Sequence, residues 1–484
     1  MSCVSVCVLY NKNKQLLSKE NLLDPIMSMP GKRKRRSEEP SNANSDVDAA
    51  RSGLVSLNGL SYLLSPDLSV AVSRKHVTSF AQQPTYTPGQ KISIILNSGA
   101  QFIDPGNSFL KLTVENITTT PATFGIGSAC NLFKRVAIST RSGDEVERVD
   151  RVNKLAVVLD RYTKSKEWMS TVGTAMGYTN DFETDIADRD NFNHLMGQGD
   201  ALDPVGAADP VKSGADVRTY CIPLACLSSL FRSYDKLLPS HMCSGMRFEL
   251  ELESARVAMK SIGGIVNYNI KDVELHMDSY TLTDSVTRVL NETAATTGLE
   301  IPFVTYGHVS DAVKESDNNF EIRKAVSRSL SVITKLSVND SVTGEQSKDS
   351  MASVIYNVES AQTRVGSLYF PNNPVSGANR DRTMSEMYLH AQHAFGKLKS
   401  VSAPGTIGLK EYRDNLAAIV TTLERSNSLQ LTGVPVNASR VCENRLKIGP
   451  NEVTGVPASD QVCDSWLQYV RLIRVFINNV EVEE

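Results

Sequence analysis

The sequence has no long apolar segment, since no stretch approaches the roughly 18 consecutive apolar residues that a membrane-spanning helix needs. Its apolar first ten residues, MSCVSVCVLY, lack the basic lead of a secretory signal peptide. We therefore expect a soluble protein that is made in a reducing, intracellular compartment.

Cysteine motifs are missing too. The eight cysteines are scattered, without a CxxC pair and without a histidine close behind any of them. Structural zinc sites are built from such closely spaced ligands. We therefore expect buried free thiols and no bound metal or other cofactor.

The motifs of common enzyme classes are also absent. The chain has no GxxxxGK(S/T) phosphate loop, no GxSxG elbow and no HExxH helix. Its formal net charge of -3 excludes a protein that binds nucleic acid through overall charge. The sequence favours a non-enzymatic protein without a small-molecule substrate, in which any nucleic-acid contact comes from a local segment.

Such a segment lies within residues 1–55, which we interpret as a flexible arm because a basic run there passes into the polar stretch SEEPSNANSD. The run is Lys32, Arg33, Lys34, Arg35 and Arg36. It is typical of a nuclear import signal or of a contact to packaged nucleic acid; the alternative is that it only keeps the arm solvated. Met29, just before the run, is an alternative start of translation.

Most of the chain beyond the arm has the pattern of β-strands. Leu110, Leu112 and Val114 alternate with polar neighbours, and so do the apolar residues of MRFELELE at 246–253. This alternation indicates strands with one buried face. Residues 164–214 are rich in Gly, Asp and Asn and show little apolar periodicity, so we expect a long loop insertion with a functional or interface role.

Residues 127–162 have a different organisation. An apolar run ending at Ile138, a polar turn at 141–144 and a second short run predict a strand hairpin. Val152, Leu155 and Leu159 then recur at helical spacing behind Asp150, which predicts a helix over 151–163 with Asp150 as its N-cap.

The second half repeats this order of elements. Strand patterns between 299 and 370 precede a helix predicted over 383–399, with a capping box from Thr383 to Glu386. Further strands come next, and the chain ends in the long strand pattern WLQYVRLIRVFINNVEVE. The repeat predicts two β-sandwiches of about 200 residues each.

Two clusters invite a metal hypothesis. His390 and His393 lie three apart on the second helix, but only Glu386 is near them in sequence, so we favour ordinary helix residues. The acidic residues of the insertion lack the EF-hand spacing, and we favour solvated loop charge; they are Asp181, Glu183, Asp185, Asp188 and Asp190. Phe182 and Phe192 beside them are candidate interface anchors.

Several stretches resemble the double jelly-roll major capsid proteins of polinton-like viruses, virophages and their adenovirus-hexon-like relatives. These stretches are residues 127–155, 222–255, 267–286 and 423–437. They carry packing and turn patterns and cover both halves of the chain.

The resemblance implies an all-β fold with two antiparallel eight-stranded jelly rolls in tandem, at 56–298 and 299–484, and with short helices and the 164–214 insertion. It further implies homotrimers of six-fold-like outline that tile an icosahedral virion shell of a double-stranded DNA virus. Expected partners are neighbouring capsomers, penton and minor capsid proteins, and genomic DNA through the arm. The resemblance also implies that the protein is made in the host cytoplasm, with import into the host nucleus as a further option.

Two alternatives stay open. A single-jelly-roll capsid protein of a small DNA virus would explain the basic arm, but it leaves some 200 strand-rich residues unassigned. A β-sandwich hydrolase would need a pair of acidic residues facing one cleft.

Overall fold

The computed structural model describes residues 71–484 except 97, 100, 119–121, 179–215, 235, 261–265, 340–348, 354, 356, 378–383, 399–406, 425–432, 450–459 and 478. Residues Ser69–Glu484 belong to one compact unit. Two sheets are built from strands before residue 283 and two from strands after residue 298.

The first pair of sheets is antiparallel throughout. Its strands are β1 Ala71–Phe80, β2 Thr85–Tyr86, β3 Lys91–Ile95, β4 Phe102–Asn116, β5 Phe133–Ser139, β6 Glu145–Asp150, β7 Asp216–Pro223, β8 Arg247–Leu252 and β9 Tyr268–Leu282. One sheet has the order β1-β9-β4-β7, with β2 also on β9, and the other has the order β3-β8-β5-β6.

The second pair of sheets repeats this topology. Its strands are β10 Leu299–Ala312, β11 Asp317–Ile322, β12 Val326–Val338, β13 Val358–Val365, β14 Leu368–Ser376, β15 Ile419–Thr422, β16 Val434–Val436, β17 Cys442–Ile448, β18 Gln461–Val475 and β19 Val480–Glu483. The orders β10-β18-β12-β15 and β11-β17-β13-β14 match the first pair strand for strand, with β16 and β19 added. The predicted fold class, two eight-stranded jelly rolls in tandem, is confirmed.

The strands behave as their patterns predict. In β8, Phe248, Leu250 and Leu252 are buried, while Glu249 and Glu251 face outward and pair with basic residues of neighbouring strands. β18 is buried along most of its length because it lies between β10 and β12. A single apolar cluster extends through both rolls, and a second, smaller one lies within the later roll.

The helices are short. They are α1 Val152–Thr163, α2 Lys166–Ser170, α3 Val172–Ala175, α4 Leu224–Leu227, α5 Ser229–Ser233, α6 Ser240–Cys243, α7 Ala255–Ala258, α8 Asp284–Thr296, α9 Ser385–Ala394 and α10 Leu409–Glu411, besides a 3-10 turn at Ala129–Leu132 and a π-turn at Tyr412–Leu416. Within the described ranges, no helix has the length and apolar character to cross a bilayer.

The predicted start of α1 is wrong. Its N-cap is Arg151, in the left-handed conformation at φ 53°, and not Asp150. Asp150 is the last residue of β6, and its carboxylate already pairs with Arg135 and Arg148. A side chain held by these ion pairs is not available to accept from the first turn of the helix.

The predicted capping box of α9 is also wrong, and the helix is shorter than 383–399. Its N-cap is Met384, at φ 55°, and Thr383 lies outside the described residues. Glu386 accepts a hydrogen bond from the backbone N–H of Ser376 at 3.0 Å. In each roll, therefore, the helix that follows the hairpin begins after a non-glycine residue in the left-handed conformation. This residue is Arg151 after the hairpin β5–β6 and Met384 after the hairpin β13–β14.

Two further expectations need correction. Residues 164–178, predicted as the start of the long loop insertion, contain α2 and α3, and Met169, Met176 and Tyr178 in this stretch are buried. The remainder of the insertion lies outside the described residues. β1 is a strand that the sequence pattern did not indicate, because its polar residues outnumber its apolar ones.

We predict that deletion of residues 466–484 prevents folding, because it removes most of the strand between β10 and β12 and exposes both of their inner edges. Deletion of 480–484, which removes only the short edge strand β19, is the matched control and should leave a soluble protein. Soluble expression and circular dichroism of the two truncations test this. A folded product from the longer deletion would contradict the central role of β18.

Candidate functional site

The most distinctive site in the described chain is a buried polar contact between the two rolls, which we call the roll junction. It is formed by β6 and α1 of the first roll and by β10, β12 and β18 of the second. The indole N–H of Trp466 donates to the carbonyl of Asp150 at 3.1 Å, and the Arg471 guanidinium donates to the carbonyl of Val146 at 2.7 Å. These two bonds attach β18 to β6, the second strand of the hairpin β5–β6.

An ion pair lies within the roll junction. Lys154 Nζ on α1 is 3.0 Å from Asp464 Oδ2 on β18 and 2.9 Å from Ser337 Oγ on β12, and the two charged side chains are 1% and 0% exposed. His308 Nε2 on β10 is 2.9 Å from the other carboxylate oxygen. Burial works to raise the pKa of Asp464, but Lys154 and His308 outweigh it and hold that pKa far below its ordinary value.

A second buried lysine lies on β12. Lys335 Nζ donates to the carbonyl of Met351 at 2.6 Å. Burial, reinforced by the nearby positive charge of Lys154, lowers the pKa of Lys335 to about 7. The junction therefore holds one lysine that is matched by a carboxylate and one that binds its proton weakly.

A buried carboxylate, that of Glu147 on β6, also lies at the roll junction. Its fully buried carboxylate accepts hydrogen bonds from the Ser228 hydroxyl and from the backbone N–H groups of Ser229 and Leu230, the latter two at 2.8 and 3.2 Å. The hydroxyl of Thr305 on β10 adds a contact at 3.3 Å from the second roll. One carboxylate thus joins a hairpin, the start of α5 and the first strand of the other roll.

Aromatic residues complete the contact where α1 ends. The Tyr162 hydroxyl donates to the carbonyl of Leu416 at 3.0 Å and accepts from the Ala418 N–H at 3.2 Å. Its ring lies 4.9 Å from that of Phe395, just after α9, and 6.5 Å from that of Tyr412. The ends of the two helices, which come after equivalent hairpins, therefore meet through aromatic rings.

The chemistry of the roll junction is that of a fixed structural contact. Its charged groups are buried, paired by hydrogen bonds and closed to a substrate. Among the described residues, no group of three or more His, Cys, Asp or Glu side chains has the geometry to hold a metal ion. The arrangement holds two rolls in one orientation.

The structure tests few of the candidate site residues. The basic run Lys32–Arg36, the acidic residues of the insertion, and Phe182 and Phe192 all lie outside the described residues. His390 and His393 are on α9, as predicted. Of the six described cysteines all are free, and only Cys221 is partly exposed.

Two groups of residues were not predicted from the sequence. Lys154 directly precedes the apolar run 155–159 of α1, and Asp464 lies between Cys463 and Ser465 in the otherwise largely apolar β18, and a charged residue at such a position was the available signal. His76 and His276 are 200 residues apart, and no sequence pattern links them, but the pairing of β1 with β9 brings their rings together.

Comparison with solved structures identifies the fold. Over 96% of this chain and 93% of the other, the structure is similar to a chain of the Sputnik virophage, with a TM-score of 0.56 and 9% identity. It is similar to PBCV-1 VP54 over 85% of this chain and 96% of that one (TM-score 0.54, 8% identity), and to the Faustovirus major capsid protein over 89% and 94% (TM-score 0.51, 10% identity).

No protein-family model matches the sequence, and no curated protein is significantly similar to it. At these identities the similarity establishes the double jelly-roll fold. The coverage shows that it includes both rolls and most of each neighbouring chain.

We predict that Asp464→Asn lowers the free energy of unfolding by roughly 3–5 kcal/mol, because it removes the carboxylate that balances the buried Lys154 ammonium. The double variant Lys154→Met, Asp464→Asn should lose less than the sum of the two single variants, since the buried lysine charge is removed together with its counter-charge. Chemical denaturation monitored by intrinsic fluorescence gives these values.

The matched control is Glu249→Gln, which breaks the exposed pair of Glu249 with Lys91 and should cost about 0–1 kcal/mol. Equal costs for Asp464→Asn and Glu249→Gln would show that the junction pair does not stabilise the fold.

Proposed function

We propose that the chain is the major capsid protein of a double-stranded DNA virus, a structural subunit without catalytic activity that assembles into the virion shell. The observation that carries this proposal is the fusion of two jelly rolls of identical strand order into one compact unit. Proteins of the same architecture, matched over more than nine-tenths of their length, include a major capsid protein. Because one fold can host many functions, the proposal rests on this architecture and not on a catalytic site.

The architecture suits a homotrimeric capsomer. Three copies of a two-roll chain present six similar rolls around a three-fold axis, which gives a pseudo-hexagonal outline that can tile an icosahedral shell. Such a tile needs the two rolls of one chain to keep a fixed angle. The buried bonds of Lys154, Glu147 and Tyr162 across the roll junction meet that requirement.

We further propose that the rolls correspond to residues 56–298 and 299–484, and that the 164–214 insertion, beyond its partly buried start at residues 164–178, projects from the outer surface of the shell. Loops can vary in length without disturbing the strands, which makes them the natural carriers of outer contacts. Neighbouring capsomers, penton and minor capsid proteins are the proposed partners. The basic run Lys32–Arg36 is proposed to contact genomic DNA or to serve in import to the host nucleus after synthesis in the cytoplasm.

Two alternatives were open from the sequence, a single-jelly-roll capsid protein and a β-sandwich hydrolase. The single-jelly-roll alternative is wrong, because the described chain contains four sheets in two rolls. The hydrolase alternative required a pair of acidic residues facing one cleft. In the part of the chain that the structure describes, a depression of about 320 Å³ on β11, β13 and β17 has Asp317 as the only acidic residue of its lining, so it does not supply that pair.

We predict that the purified full-length chain forms trimers with a pseudo-hexagonal outline, because two rolls per chain fit three chains to six positions. Mass photometry gives the stoichiometry, and electron microscopy of the same sample gives the outline. Pentamers, or monomers that persist at high protein concentration, would contradict the proposal.

For the basic run, we predict that changing Lys32–Arg36 to alanine leaves the trimers intact and weakens DNA association. The slope of log affinity against log salt concentration should become shallower by about one for each phosphate that the arm no longer neutralises. Replacing Lys12, Lys14 and Lys19, which are dispersed basic residues of the same arm, is the control and should have a smaller effect. The readout is binding to duplex DNA at several salt concentrations. Failure of the alanine variant to form trimers would instead assign the run a structural role.

A further inference from the structure

A histidine pair lies on the face of the first roll that carries the polar residues of β1 and β9. Nε2 of His76 on β1 is 2.9 Å from Nδ1 of His276 on β9, and the two ring centroids are 5.2 Å apart, so the rings meet edge to edge through these nitrogens. Phe109 on β4 stacks against His276, with the ring centroids 4.7 Å apart and the planes inclined by only 7°. The sheet pairing therefore packs the His276 ring against two other rings.

The outer nitrogens of the pair are occupied by carboxylates. Nδ1 of His76 is 3.1 Å from Asp278 Oδ1, and Nε2 of His276 is 2.9 Å from Glu274 Oε2. An ionised carboxylate can only accept a hydrogen bond, so each of these two nitrogens carries its ring's proton when the imidazole is neutral. The carboxylates thereby fix the tautomer of both rings.

This tautomer leaves a conflict between the two inner nitrogens. Nε2 of His76 and Nδ1 of His276 then both present lone pairs, and they face each other at the distance of a hydrogen bond without a proton to share. A cation placed between the lone pairs removes the conflict. The hydroxyl oxygen of Thr78 lies 3.3 Å from the Nδ1 of His276 and offers an oxygen ligand beside that nitrogen.

The surroundings match those of a metal site. Histidines that bind metals usually donate their second ring N–H to a carboxylate, which orients the ring and increases the basicity of the ligating nitrogen. Arg74 and Lys111 in turn pair with Asp278 and Glu274, so the outer carboxylates are themselves held in place. Imidazole nitrogen favours Zn²⁺, Cu²⁺ and Ni²⁺ over Ca²⁺ and Mg²⁺.

We propose that His76 and His276 form a surface site for a divalent transition metal ion, with Zn²⁺ as the representative, and that Thr78 and water complete the coordination. Zinc bonds to imidazole nitrogen at about 2.0–2.1 Å, so tetrahedral binding needs the two nitrogens about 3.3 Å apart. The distance between the two nitrogens must therefore increase by a few tenths of an ångström. We expect the His76 side chain to move, because it is 49% exposed on an edge strand, while the side chain of His276 is only 15% exposed. This site does not depend on the proposed capsid role.

The test is zinc binding by the full-length, tag-free protein at pH 7.5, measured by equilibrium dialysis with metal analysis and by competition with a chromophoric chelator. We expect one Zn²⁺ per chain. His76→Gln and His276→Gln should each weaken binding by more than tenfold, and Glu274→Gln, which removes only an orienting carboxylate, by roughly 10- to 100-fold.

Two control variants separate this site from other histidines. The controls are His241→Gln and His390→Gln; His241 Nε2 lies 2.9 Å from the Asn291 side-chain oxygen, and His390 lies on α9. We expect both variants to bind zinc as the unchanged protein does. Co²⁺ substitution gives a second readout, because its visible absorption should disappear in His276→Gln while circular dichroism shows the fold retained.

Absence of stoichiometric zinc, or binding that survives both His76→Gln and His276→Gln, would overturn the proposal and leave a shared proton as the cation between the two rings. Binding that is abolished in His390→Gln would also overturn it, since it would place the metal on α9.

Discussion

The contact between Lys154 and Asp464 is the constraint on which the two-roll arrangement depends. Each partner belongs to a different roll, and each is almost completely buried. A lone charge in such a position would be strongly unfavourable, so each residue requires the other roll to be in place. The pair therefore penalises any arrangement in which the rolls separate or rotate, and the bonds from Glu147, Tyr162 and Trp466 act in the same direction.

The duplication of the rolls extends to small details. Both halves use the same strand order in both sheets, and both place a helix after the hairpin of the second sheet. Both helices begin after a left-handed non-glycine residue, Arg151 in one roll and Met384 in the other. This conformation is uncommon outside glycine, and its occurrence at equivalent positions indicates that the turn from hairpin to helix has the same geometric requirement in each roll.

Much of this protein was determined by local sequence. The alternation in MRFELELE, the hairpin around residues 141–144 and the apolar spacing of α1 follow from the local sequence alone. The repeat of that order in the second half was sufficient to predict two β-sandwiches, and the resemblance to double jelly-roll proteins implied that they are jelly rolls. The limits of the helices were harder to predict. Asp150 is an ordinary N-cap by sequence, but in the structure it ends β6, its carboxylate pairs with Arg135 and Arg148, and Arg151 takes the N-cap position.

What only the tertiary structure decided are the contacts between residues far apart in the chain. Nothing near Lys154 in sequence indicates Asp464, 310 positions later, and nothing near His76 indicates His276. Strand pairing and roll packing create these contacts, since the free energy that stabilises them comes from burial and from neighbours that a linear pattern does not contain. The sequence by itself determined two β-sandwiches; the tertiary structure determined how they are joined and which side chains their surfaces bring together.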